Sequence, residues 1–89
     1  MEKLRTVVTE PSVDAELEAI YDSIERADEA LRGFQAILAK APQCGAKISE
    51  HVWFMGFEGK GIWKTLAVYY TFNDKYVWIL RIVEIKRGV

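Results

Sequence analysis

Residues 62–85 read IWKTLAVYYTFNDKYVWILRIVEI, two extended apolar runs on either side of the dipeptide Asn73-Asp74. Val, Ile, Thr, Tyr, Phe and Trp dominate both runs, which is the composition of strands. Asn and Asp tolerate the left-handed backbone that a two-residue hairpin turn demands. The expectation is a hairpin with strands over residues 62–72 and 76–85. With Asn73 and Asp74 in the turn, Phe72 opposes Lys75, Tyr70 opposes Val77, Val68 opposes Ile79 and Leu66 opposes Arg81. One face then carries Ile62, Leu66, Val68, Tyr70, Phe72, Val77, Ile79, Val83 and Ile85, an aliphatic set suited to packing on helices. The other carries Trp63, Thr65, Ala67, Tyr69, Tyr76, Trp78, Leu80, Ile82 and Glu84, and it too is largely apolar.

Upstream of the hairpin, residues 52–57 continue the extended pattern, and Glu58-Gly59-Lys60-Gly61 supplies a turn between that strand and the next. Before it the period changes. Val13, Leu17, Ile20, Tyr21 and Ile24 recur at helical spacing, with Thr9 or Ser12 as N-cap and Asp14 and Glu16 in the first turns. Arg26-Ala27-Asp28 allows a break, Asp28 caps again, and Ala30, Phe34, Ile37, Leu38 and Ala41 mark a second amphipathic helix ended by Pro42. Residues 4–9 form a short strand that Pro11 stops. The expected order is β-α-α-β-β-β, an α+β fold with a helical hairpin on one face of a mainly antiparallel four-stranded sheet. Two helices cannot cover both sides of such a sheet, so the aromatic face is expected to be open to water or to a partner.

The 89 residues, 51% hydrophobic and 28% charged, have the composition of one small soluble domain, which excludes disorder and leaves no room for a second domain. Three Trp, four Tyr and four Phe offset the small share of surface that so short a chain buries. The longest apolar runs, residues 66–70 and 76–80, fall far short of the roughly 20 residues that cross a bilayer. The first residues lead into no signal-type stretch, and the one Cys, Cys44, forms no internal disulfide, so a cytoplasmic protein without membrane contact is expected. A net charge of -1 argues against sequence-specific DNA binding. The average hides an asymmetry, since residues 10–32 carry eight acids against two bases and residues 33–89 eight bases against four acids.

The order of elements and several residues resemble the RelE/ParE superfamily, the toxic halves of bacterial type II toxin-antitoxin pairs. The likeness spans nearly all of residues 1–89, read as a single domain of that kind. An acid-rich helix of the pattern "a.Dleeiydyi" is matched by Asp14-Ala15-Glu16-Leu17-Glu18-Ala19-Ile20-Tyr21-Asp22-Ser23-Ile24, and an "L...P..G" turn by Leu38, Pro42 and Gly45. The closing "Y.v.....vvilrv" hairpin is matched by Tyr70, Phe72 and Val77-Trp78-Ile79-Leu80-Arg81-Ile82. The resemblance implies a cytoplasmic toxin bound by a cognate antitoxin. In the RNA-cleaving branch an Arg stands three residues ahead of the Tyr, where this chain has Ala67, and the exit from the last strand is matched only as Lys86-Arg87, with no Tyr or His after it. RNA cleavage needs groups that move protons and cations that stabilise the pentavalent phosphate. The departures therefore favour the ParE-like branch, which acts by binding protein and whose target is DNA gyrase.

The surface expected to bind a partner, whether antitoxin, target or a second copy of the chain, is built from Trp63, Tyr69, Tyr76, Trp78 and Leu80. The alternative is a ribosome-dependent mRNA interferase working through Lys60, Lys64, Arg81, Lys86 and Arg87; a third reading is a homologue that has lost toxicity and serves as an interaction module. For Lys60 and Lys64, solvated turn charge is the plainer role, and Arg81 is expected on the helix side, paired with Asp14 or Glu18. His51 is the one histidine and no ligand pattern surrounds it, so no metal or cofactor is implied; Cys44 is expected as a small, partly buried loop residue.

Overall fold

The computed structural model describes residues 4–86. Strand β1 (Thr6–Thr9) leads into helix α1 (Pro11–Tyr21) and helix α2 (Ile24–Lys40), and a 3-10 turn (Pro42–Cys44) leads to β2 (Ala46–Lys47), β3 (Trp53–Phe57), β4 (Leu66–Phe72) and β5 (Tyr76–Glu84). The fold is α+β, with both helices on one face of a five-stranded sheet of order β1-β5-β4-β3-β2. The sheet is mixed, because β1 runs parallel to β5 while the other neighbours are antiparallel. The expected four strands are thus corrected by the two-residue β2, too short to leave a periodic signal.

Pro11 opens α1, as its fixed φ and missing N–H allow, and Glu10 rather than Thr9 or Ser12 is the capping residue. The helix break lies at Asp22-Ser23, not at Arg26-Ala27-Asp28. Asp22 takes the left-handed conformation at φ 50 and Ser23 accepts the Arg26 N–H at 3.3 Å, which restarts the chain as α2. Ala27 consequently sits in the core instead of a connection, and Ile24 is exposed. The core joins Val13, Leu17 and Tyr21 of α1 and Phe34 and Leu38 of α2 to Leu66, Val68, Tyr70, Val77, Ile79 and Ile82 of the sheet. Full burial of each large aliphatic side chain contributes about 1.5–3 kcal/mol.

The register of the last hairpin differs from expectation by two residues, because Asp74 and Lys75 form the turn and Phe72 pairs with Val77. Asn73 selects this arrangement. Its Oδ1 accepts the N–H groups of Lys75 and Tyr76, each at 2.8 Å, and its own N–H donates to the Tyr76 carbonyl at 2.9 Å. An even shift preserves the faces; a bulge then changes them. Tyr70 pairs with Ile79 and Tyr69 with Arg81, leaving Leu80 as the extra residue of β5. Beyond it the parity reverses, so Ile82 and Glu84 stand on the helix side beside Val68 and Leu66, where Val83 and Ile85 were expected. β4 also begins later than expected, at Leu66, and residues 62–65 belong to the β3–β4 loop, with Ile62 exposed rather than packed on the helices.

The turn after α2 is held by a buried contact. The Tyr70 hydroxyl donates to the Pro42 carbonyl, which also accepts the Gly45 N–H at 3.4 Å. A Cβ at Gly45 would overlap that hydroxyl and lie 2.6 Å from the Phe54 carbonyl oxygen, so glycine is required there by close approach. Burial pushes the Tyr70 phenol above its usual pKa, against a smaller lowering from the Gly45 backbone.

Candidate functional site

With both helices on one side, the opposite sheet face carries Val8, Phe54, Tyr69, Thr71, Tyr76 and Trp78, fixed in rows by the register: Val8 lies beside Trp78, Trp78 beside Thr71, and Tyr69 beside Phe54. No described element packs over this face. Tyr76 and Trp78 are in ring contact at 5.5 Å between centroids, and Phe54 and Tyr69 at 6.1 Å. Tyr76 is 41% exposed and Leu80, at the bulge, 43%, while Tyr69, Trp78 and Phe54 are partly buried. Fixed aromatic rings of this kind present area to a partner at little cost in side-chain entropy.

Four of the five residues expected on this surface, Tyr69, Tyr76, Trp78 and Leu80, are therefore brought together. Trp63 is not. It belongs to the β3–β4 loop and turns to the helix side, where its ring meets Tyr21 edge-on at 5.8 Å. The loop that turns it is closed by the Gly59 N–H on Thr65 Oγ1 at 3.1 Å and by the Trp63 N–H on the Lys60 carbonyl at 3.0 Å, so the strand alternation stops before residue 63 is reached. Ile82 and Glu84 leave the face because of the bulge. Phe54 and Val8 join it, and simple alternation against inward Trp53, Met55 and Val7 identifies both.

The candidate catalytic cations do not converge on the aromatic face. Lys64 pairs with Glu84 at 3.6 Å, and its backbone N–H donates to the Tyr21 hydroxyl at 3.2 Å. Arg81 stands opposite outward-facing Tyr69, correcting its expected helix-side position, and its partner is Glu16 at 3.2 Å rather than Asp14 or Glu18. Glu16 also meets the Ile82 N–H at 3.5 Å, where β5 runs beyond β1 and no described strand neighbours that edge. Lys60 is exposed in the β3–β4 loop and Lys86 is exposed after β5; Arg87 lies outside the described residues. Cys44, expected to be partly buried, is exposed, as is His51. Among the described residues no group of three His, Cys, Asp or Glu is placed to hold a metal ion. No helix among them is long and apolar enough to cross a membrane.

A second concave feature lies on the helix side. Tyr21, Phe34, Ile37, Phe57 and Trp63 line a cleft of about 220 Å³ at the junction of α2 with the β3–β4 loop, with Ala30 and Gly33 on the α2 flank. Phe34 and Phe57 are in ring contact at 4.5 Å and form its floor. Nothing in the residue pattern of this loop singled the cleft out, because its walls come from four separated segments. Comparison of the chain with protein-family models, with curated proteins and with solved structures gives no match.

Proposed function

We propose that this chain is a toxin of the RelE/ParE type that acts by binding protein, with its outer sheet face as the contact surface, DNA gyrase as the target that the resemblance implies and a cognate antitoxin as its neutralising partner. The observation that carries the reading is the outer face itself: Phe54, Tyr69, Tyr76 and Trp78 are held at fixed register with no described element over them. Aromatic side chains in this setting supply the anchors on which protein interfaces depend. The engagement of Lys64 by Glu84 and of Arg81 by Glu16 weighs against the mRNA interferase, whose chemistry requires cations directed at a scissile phosphate.

Pulsed labelling of DNA and protein synthesis just after tightly controlled induction in bacteria tests the proposal. An early fall in DNA synthesis with translation intact, relieved by Trp78→Ala, is the expected result. A first fall in protein synthesis that Trp78→Ala leaves unchanged would replace it with the interferase. If neither synthesis responds, the chain is a homologue without toxicity, and a second copy becomes the occupant of the face to test.

A further inference from the structure

Strand β5 outruns the strand beside it. β1 pairs with Tyr76, Val77, Trp78 and Ile79, so from Leu80 onward one edge of β5 has no described strand against it. Alternation fixes which backbone groups that edge presents. The Ile85 N–H donates to the Thr65 carbonyl on the β4 side, so the backbone groups of Glu84 and Ile82 point the other way. The stretch reaches solvent, with Leu80 43% exposed and the Arg81 side chain 68% exposed. An open edge of this kind is a template for another strand unless something blocks it.

Glu16 of α1 meets the edge at its centre. Its Oε1 accepts the Ile82 N–H at 3.5 Å while its Oε2 accepts from Arg81 Nε at 3.2 Å. The donor that an added strand needs is therefore in use. Residues 80–84 are also able to pair with themselves about Ile82. An antiparallel two-fold pair centred there sets Ile82 opposite Ile82, Leu80 opposite Glu84 and Arg81 opposite Val83, with each Ile82 N–H on the other copy's carbonyl. Such a pair brings both Glu16 carboxylates to one dyad, removes the donor that each holds and sets like charges side by side. The contact thus opposes pairing with a second copy in particular.

We infer that Glu16 is an edge cap, which keeps residues 80–84 of β5 from pairing with the same residues of a second copy and so holds the chain monomeric. This role is separate from the contact surface proposed above, which uses side chains of the outer face rather than the backbone of the sheet edge.

Sedimentation equilibrium of the full chain and of Glu16→Ala, with amide hydrogen exchange at Ile82, tests the inference. The expected parent is monomeric with a protected Ile82 amide. Glu16→Ala should exchange that amide on the order of tenfold faster when dilute, and should dimerise at least about tenfold more tightly than the parent, with the amide protected again in the dimer. Glu16→Gln, which removes the charge and keeps the side-chain length, should also dimerise more tightly than the parent, and carries the test if Glu16→Ala loosens α1. Arg81→Ala, which leaves the cap on Ile82, should stay monomeric. Glu84→Pro, added to Glu16→Ala, removes the next edge N–H at a position where an edge strand tolerates proline, and should restore the monomer. A dimeric parent would overturn the inference, as would folded Glu16→Ala and Glu16→Gln proteins that both remain monomeric. A Glu16→Ala dimer that Trp78→Ala dissolves would also overturn it, because the outer face would then be the contact. The labelling experiment on the outer face does not involve Glu16, so failure here leaves that reading untouched.

Discussion

The contact between Gly45 and Tyr70 offers a quantitative test of how the turn after α2 is locked to the sheet. Replacing Gly45 by alanine places a methyl group over the Tyr70 hydroxyl and 2.6 Å from the Phe54 carbonyl oxygen, so the ring or the turn must move. Movement breaks the hydrogen bond from Tyr70 to the Pro42 carbonyl and strands the buried Tyr70 hydroxyl, at a cost of about 1–3 kcal/mol. Overpacking adds about 1–3 kcal/mol, for a total of about 2–6 kcal/mol against a stability of the order of 5–15 kcal/mol. Tyr70→Phe alone removes that hydrogen bond but leaves the Pro42 carbonyl with the Gly45 N–H at 3.4 Å, and should cost about 0.5–1.5 kcal/mol. The two losses share one hydroxyl. In the Tyr70→Phe background the nearest obstacle to the new methyl is gone and only the Phe54 carbonyl remains, so the double variant should fall short of the sum by at least about 1 kcal/mol. Urea unfolding of the four proteins, followed by tryptophan fluorescence, measures the cycle. Additivity within about 0.5 kcal/mol, or a neutral Gly45→Ala, would refute the lock.

The same tyrosine sets an alkaline limit. Its phenol titrates above the ordinary value of 10.0 in the folded chain, so unfolded protein releases that proton first, and the stabilisation present below pH 10.0 is lost as pH rises past it. Denaturation profiles of Tyr70→Phe should show a shallower alkaline fall than the parent; an identical slope would contradict the assignment. Gly33→Ala should raise stability by about 0.5–1 kcal/mol, measured as a higher melting temperature, because the added methyl meets open space in a helix interior. Arg81→Ala should change stability by less than about 1 kcal/mol in urea titrations, since the Arg81 side chain is 68% exposed and its pair with Glu16 is screened by water. A larger loss would mean that the pair, not the hydrogen-bonded backbone, fixes the bulge.

Much of the outer face is legible in residue order, because strand alternation is a local property: Tyr69, Tyr76 and Trp78 fall on it by parity alone. Parity fails where the chain stops being a strand or slips. Strand alternation continued four residues upstream of β4 puts Trp63 on the face, and what turns it inward is Thr65 reaching back to Gly59, together with Tyr21 from α1. Parity puts Ile82 there too, because nothing in residues 76–85 announces a bulge at Leu80. The helix break at Asp22-Ser23 was visible in kind, an acid tolerant of the left-handed region followed by a capping Ser, but the Asp28 site offered a competing cap.

Residue order is thus sufficient for the α+β class, for two amphipathic helices and for an extended C-terminal hairpin, since each follows from a repeat of two or 3.6 residues within one segment. The parallel pairing of β1 with β5, the bulge beside Glu16 and the cleft under α2 depend on groups far apart in the chain: Glu16 meets Ile82, and Tyr21 meets Trp63. Those encounters are chosen by how the helices settle on the sheet, where burial and the pairing of backbone groups are satisfied together, and no local period encodes them.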